Sequence, residues 1–236
     1  MVTEQEKKVL QEYWNHENHV ASGMPDYCER ATRELFDRLL PDVHGKKVLD
    51  IGCGHGQTLT YFQKRGALPY GVDMSPESVR VARQHGFEVE EGDCCALPYP
   101  NESFDVVFSI GVVEHFQATK KAIAEHIRVL RQGGKAIIII PNIKSPSYFG
   151  AIAWHFLRGH FLRFSVKTTT GKGYTKSYAK KLLDDGKAKN IQIIGYYGSA
   201  FLKPLTLSRW EKLAHWIDSS AYSNAFGHLL ACVYEK

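Results

Sequence analysis

Val48-Leu49-Asp50-Ile51-Gly52-Cys53-Gly54-His55-Gly56 is an apolar run that ends in glycines spaced G-x-G-x-G. A short apolar run bounded by glycine, here Lys47–Ile51, predicts a buried strand. Glycine lets the backbone turn sharply and approach a ligand with no Cβ in the way. In an open α/β sheet, ligands bind beyond the carboxyl ends of the strands, near the topological switch point, and the first loop is where that cleft opens. A dinucleotide-binding loop would read G-x-G-x-x-G, with glycine at position 57. This chain has Gln57 there, and the last glycine comes one residue early, which weakens a dinucleotide reading.

Outward from this loop, strand and helix patterns alternate. Thr58–Arg65 reads as a helix ending at Gly66, and Tyr70–Asp73 as a second strand. Ser75-Pro76 signals a helix start over Pro76–His85, with Ser75 as the cap and Pro76 in the first helical position. Phe87–Glu90 and Phe104–Ser109 read as the next strands. Ile123, Ile127 and Leu130 share one helical face, and that helix is expected to end at Gly133-Gly134. Ala136–Ile140 is a near-continuous isoleucine run, the mark of a central strand covered on both faces. Ile191–Gly195 and Leu229–Tyr234 are the last strand candidates, and Lys176–Asp185 a late helix. Upstream, Glu29–Leu40 carries a helical apolar stripe stopped by Pro41. Strands alternating with helices predict an open, doubly wound α/β sheet with helices on both faces.

Two acids complete the pattern. Asp73 closes the second strand roughly 20 residues past the glycine loop, where an acid can accept hydrogen bonds from both hydroxyls of a ribose. It suits any adenosine ligand without a 2′-phosphate. Asp93 follows the third strand within Glu91–Pro98, placed to meet an adenine amino group.

VLDIGCGHG, GVDMS, EGDCCALPYPNESFDVVFSIGVVEHF and LRQGGKAIIIIPN resemble the successive motifs of class I S-adenosylmethionine-dependent methyltransferases. The nearest likeness is to the group holding the quinone-biosynthesis C-methyltransferases and many small-molecule methyltransferases. It covers roughly Lys46 to Asn142, with the motifs in order. The resemblance implies a Rossmann-like, seven-stranded sheet, mostly parallel with an antiparallel last strand, and S-adenosylmethionine as cofactor. It implies that Asp50, Gly52, Cys53, Gly54 and Gly56 line the methionine and ribose part of the cofactor. Asp73 and Met74 would hold ribose and adenine, Asp93 and Cys94 the adenine edge, and Ile110 would lie near the bound cofactor. His55 departs from the smaller residues common in such loops. Glu114-His115 faces donor and acceptor in this group, so His115 is the candidate general base, its unperturbed pKa lying near neutrality. His126, mid-helix, reads as structural.

Methyl transfer is an in-line displacement whose hard chemistry belongs to the cofactor, so the protein's task is orientation. No catalytic triad and no metal motif is expected, and none is read. The five cysteines, Cys28, Cys53, Cys94, Cys95 and Cys232, are odd in number and lack a C-x-x-C pair, which suggests neither a disulfide framework nor zinc. Adjacent Cys94 and Cys95 make a poor redox pair. Reduced thiols, a charged N-terminus without an apolar signal region, and no apolar stretch long enough to span a bilayer lead to the expectation of a cytoplasmic protein.

The chain of 236 residues is 44% hydrophobic and 23% charged, enough for one well-cored domain. Its organisation reads as an N-terminal helical cap (1–44), a cofactor-binding core (45–142), an acceptor-side insertion (143–190) and C-terminal strands completing the sheet (191–236). The net charge of +5 is uneven. Ile143 to Lys189 holds ten Lys/Arg against two Asp/Glu, leaving the remainder acidic. Tyr148–Phe164 is aromatic with Arg158 and Arg163 interleaved, and reads as a lid over a small-molecule acceptor that is apolar or anionic. A peripheral membrane or lipid contact through 148–164 is the competing reading. Tyr13, Trp14 and His16 could close over the cofactor from the other side. The basic segment would suit a nucleic acid, but the fourth strand lacks [DN]-P-P-[YF] and there is no Pro-Cys motif, so a nucleic-acid partner is disfavoured. A non-catalytic cofactor-binding module and an NAD-dependent dehydrogenase are the remaining alternatives.

Overall fold

The glycine-ended run forms strand β1 (Lys47–Ile51), and its loop leads into helix α2 (Gln57–Lys64). Helix α1 (Asp26–Leu39) precedes them. There follow β2 (Leu68–Asp73), α3 (Pro76–Gln84), β3 (Glu88–Glu91), β4 (Phe104–Ile110), a 3-10 turn (Val113–His115), α4 (Thr119–Val129), β5 (Leu130–Pro141), α5 (Lys176–Leu183), β6 (Lys189–Tyr196) and β7 (Leu229–Glu235). This computed structural model describes residues 8, 26–145, 173–184, 189–196, 224, 227 and 229–236. Tyr13, Trp14, His16 and the whole of 148–164, with Arg158 and Arg163, lie outside the described residues.

The strands form one seven-stranded sheet in the order β3-β2-β1-β4-β5-β7-β6. The pairs from β3 through β5 are parallel. Strand β7 inserts between β5 and β6 and runs antiparallel to both. This is the doubly wound sheet expected, with the antiparallel strand last in sequence.

Alternation along β5 shows why its isoleucines are uninterrupted. Ile137 and Ile139 pack with Phe36 and Leu35 of α1 and Phe62 of α2 on one face. Ala136, Ile138 and Ile140 pack with Ala122, Ile123 and Ile127 of α4 and Ala179 and Leu183 of α5 on the other. Each buried side chain of this size contributes roughly 1.5–3 kcal/mol over its exposed state. Helix α3 caps as its sequence requires: Ser75 accepts the Ser78 N–H at 3.2 Å and Pro76 opens the helix.

Most strands differ from their expected bounds by one or two residues, and one boundary changes an element's type. The helix expected to run to Gly133-Gly134 stops at Val129, and Leu130 begins β5. Leu130 pairs with Phe104, then the register slips before Lys135 pairs with Val106. The glycine pair sits in that irregularity, not at a helix cap. Leu130 falls on the helical face of Ile123 and Ile127 by spacing alone, so periodicity could not separate the two states. Among the described residues, no helix is long and apolar enough to cross a membrane.

Candidate cofactor and active site

The glycine loop is held by β2. The Val72 carbonyl accepts the N–H groups of Gly52 at 2.7 Å and Cys53 at 3.2 Å. Gly52, Gly54 and Gly56 all have positive φ, at 79°, 53° and 88°. At Gly56, the cap of α2, a Cβ would also lie 2.8 Å from the Phe87 ring, so the loop fits only glycine there. At Gly52 a Cβ would lie 2.4 Å from Val112 Cγ2. The turn after β4 thus presses on the loop after β1.

Asp73 ties these parts together. Its Oδ2 accepts the Gly54 N–H at 2.9 Å, and its Oδ1 accepts the Ser75 N–H at 2.9 Å. Each carboxylate oxygen carries a second lone pair beyond those bonds. The Asp73 carbonyl accepts the Gly92 N–H at 2.9 Å, which draws the Asp93 loop to the same edge. Burial pushes the Asp73 carboxyl up, and the N–H bonds from Ser75 and Gly54 oppose it.

Asp50 lies beneath the loop, 3% exposed. Burial first, and then the Asp73 charge, hold its carboxyl well above the usual range, against a hydrogen bond from Thr58. Burial and the same two carboxyls push the Cys53 thiol up, so it packs as a thiol and is no nucleophile. Met74 is half-buried against the core cluster of β1 and β5. Asp93 Oδ1 accepts the Cys95 N–H at 2.8 Å, forming a tight turn, and Cys94 is buried beside it. Ile110 ends β4, half-buried on the α1 side of the sheet. His115 closes the 3-10 turn, also half-buried. The fold therefore gathers Asp50, Gly52, Cys53, Gly54, Gly56 and Asp73 at the carboxyl ends of β1 and β2. Met74 follows Asp73 directly. Asp93 and Cys94 come beside them from β3, while Ile110 and His115 come from β4.

Val112 was not singled out by the sequence, and Glu114 was named with His115 but given no role of its own. Glu114 is 3% exposed, and burial pushes its carboxyl up to about 8. The sequence shows two polar residues after β4 but nothing that says which turns inward. His126 is structural, as read: its ring bridges the Ala122 carbonyl at 2.8 Å and the Ser109 hydroxyl at 3.0 Å, wholly buried.

Residues 49–138, the stretch that builds β1 through β5, match the methyltransferase domain family. Over that stretch the chain is similar to a methyltransferase domain. The phthiotriol/phenolphthiotriol dimycocerosates methyltransferase of Mycobacterium leprae is 32% identical over 133 residues, covering 51% of this chain and 49% of that protein. The fatty-acid O-methyltransferase of Mycolicibacterium smegmatis is 34% identical over 133 residues, covering 51% and 48%. The chain thus spans about half the length of these curated relatives. A solved S-adenosylmethionine-dependent methyltransferase from Thermotoga maritima superposes with a TM-score of 0.67 over 98% of this chain and 97% of its own, at 18% identity, a likeness of fold. The Thermotoga protein depends on S-adenosylmethionine, the cofactor proposed for this chain below. The cradle suits it, since the glycines leave the loop edge bare and Asp73 offers acceptors beside it.

Proposed function

We propose that this chain transfers the methyl group of S-adenosylmethionine to a small-molecule acceptor, apolar or anionic in character. The observation that carries the reading is the junction of Asp73 with the Gly54 amide at the ends of β1 and β2. That junction rigidifies an acid beside a bare glycine loop at the mouth of the sheet, where a ribose can be gripped by its hydroxyls. In this reading Asp50, Gly52, Cys53, Gly54 and Gly56 support the methionine and ribose part, and Asp73 and Met74 the ribose and adenine. Asp93 and Cys94 border the adenine, and Ile110 lies beside the cofactor.

The bound cofactor supplies an electrophilic methyl on a positive sulfur. The chain's residues orient the acceptor and exclude water. Alignment of this kind lowers a barrier by several kcal/mol without covalent participation. His115 is proposed to take the acceptor's proton where the acceptor has one to lose. The aromatic and basic residues of 148–164 are proposed as the acceptor's wall, a reading that rests on sequence and is supported by a relative named for fatty acids. Cytoplasmic residence is proposed on the same sequence grounds.

Calorimetry with S-adenosylhomocysteine and with NAD tests the cofactor reading, and preference for NAD would contradict it. Incubation with methyl-labelled S-adenosylmethionine and fractionated cell extract tests the acceptor. Label is expected in the small-molecule fraction, and label confined to RNA or protein would contradict that part.

A further inference from the structure

The turn after β4 occupies the switch point of the sheet. Strands β1 and β4 are neighbours, and the chain leaves them in opposite directions, toward β2 and toward β5. Val112 closes this point by packing against Gly52. Two residues on, Glu114 turns inward, and the 3-10 turn that bears it packs on α4 and β5. Its Oε1 lies 3.6 Å from where a Cβ on Gly111 would stand, and its Oε2 has no hydrogen-bond partner.

The described groups near it are polar or apolar, none of them cationic. The buried Tyr174 hydroxyl meets the Thr119 side chain, and a charge on Glu114 would make its proton harder to remove. Thr119 lies beside Tyr174 and gives its own proton to the Phe116 carbonyl at 2.8 Å. Cys232 of β7 lines the same recess, with Val113, and Tyr178 stacks on Tyr174. His115 is next along on the same turn. A buried acid with one oxygen left unpaired is costly, and an apolar residue of similar size would serve the core better.

Resting on the methyltransferase reading above, we propose that Glu114 is a positioning residue for methyl transfer. It holds the Gly111–His115 turn so that Val112 bears on Gly52 and His115 faces the acceptor. Burial raises its proton affinity, opposed in part by its own backbone N–H, and no described cation offsets it. At neutral pH the side chain is an uncharged acid that fits the recess. In the dry site beside Tyr174 it keeps its proton up to about 8, whereas in a turn open to water it loses the proton in the ordinary carboxylate range, so a pH rising toward 8 favours the open turn. In the open turn Val112 leaves the glycine loop.

The test is calorimetry of S-adenosylhomocysteine binding from pH 6.5 to 9.5, with folding followed by circular dichroism. This ligand lacks the sulfonium charge, so its affinity reads the placement of the turn and not attraction to a carboxylate. Its own amino group titrates identically against every variant and cancels in the comparison. Wild-type affinity is expected to fall by up to about tenfold per pH unit as the pH rises toward 8 and to level off above it, as one-proton linkage between the open and closed turn requires. Glu114→Gln cannot ionise and should bind within about twofold of wild type at pH 7, with that extra alkaline loss absent. Glu114→Ala should bind weakly at every pH. An alkaline loss equal in wild type and Glu114→Gln would overturn the proposal. So would full affinity in Glu114→Ala, or a Glu114→Gln variant that does not fold. Wild-type protein that binds no S-adenosylhomocysteine even at pH 7 would overturn the methyltransferase reading itself, an outcome distinct from the others.

Discussion

Asp73 is asked to do two things at once. It receives N–H groups from Gly54 and Ser75, and in the proposed complex it also receives the ribose hydroxyls. Hydrogen bonds to a charged group are worth about 1.5–3 kcal/mol each. Asp73→Ala is therefore expected to weaken S-adenosylmethionine binding at least ~10-fold, measured by calorimetry on folded protein. Unchanged affinity would remove Asp73 from the site. His115 is the complementary case, acting on turnover and not on affinity. Once an acceptor is identified, His115→Ala should lower turnover by roughly 10²–10⁴-fold if the residue takes a proton in the transition state. Near wild-type turnover, with cofactor affinity equally intact, would assign His115 to the turn's architecture. These residues were legible because strand ends and glycine spacing place them. The inward turn of Glu114 was not, since it depends on how the 3-10 turn packs on β5, a contact between separate segments.

Helix α4 is pinned to β4 through His126. Its Nδ1–H donates to the Ala122 carbonyl, so its Nε2 accepts from the Ser109 hydroxyl, which requires a neutral ring. Burial lowers its pKa from 6.5 to about 4. The unfolded chain therefore binds this proton near pH 6.5 while the folded chain refuses it until about 4. The stabilisation is present in full above pH 6.5 and is lost as the pH falls through that window. The loss amounts to ~3 kcal/mol. Urea unfolding at pH 7 and at pH 4.5 should give a larger acid loss for wild type than for His126→Gln. A difference between the two proteins that does not change with pH would contradict the assignment. At the other end of the first βα unit, Gly56→Ala must hold a left-handed backbone beside Phe87, at a cost of ~1–2 kcal/mol from the backbone alone. Thermal unfolding unchanged in that variant would show the loop to be more tolerant than its geometry. The elements themselves were readable from periodicity and caps, Ser75-Pro76 above all. The end of α4 was not, because Leu130 satisfies helix and strand spacing equally and only its pairing with Phe104 decides.

At the scale of the molecule, the sheet order places the residues of the cofactor reading at one edge, the carboxyl ends of β1 through β4. The doubly wound class follows from the alternation of apolar runs and helices. The position of β7 between β5 and β6 does not, since strand adjacency is a tertiary property. The acceptor side rests on residues beyond those described, and its prediction is drawn from charge and aromatic content. Arg158→Ala with Arg163→Ala should raise the acceptor KM while leaving the cofactor Kd within about twofold, well under the ~1.4 kcal/mol of a tenfold change. Equal loss of cofactor affinity would contradict a division of labour between core and segment. The central claim is that the mouth formed by β1, β2 and β4 holds S-adenosylmethionine. A crystal structure with S-adenosylhomocysteine tests it most directly. The account predicts both ribose hydroxyls within about 2.5–3.0 Å of the Asp73 carboxylate, with the glycine loop along the ligand. A ligand bound elsewhere, or a ribose turned away from Asp73, would contradict it.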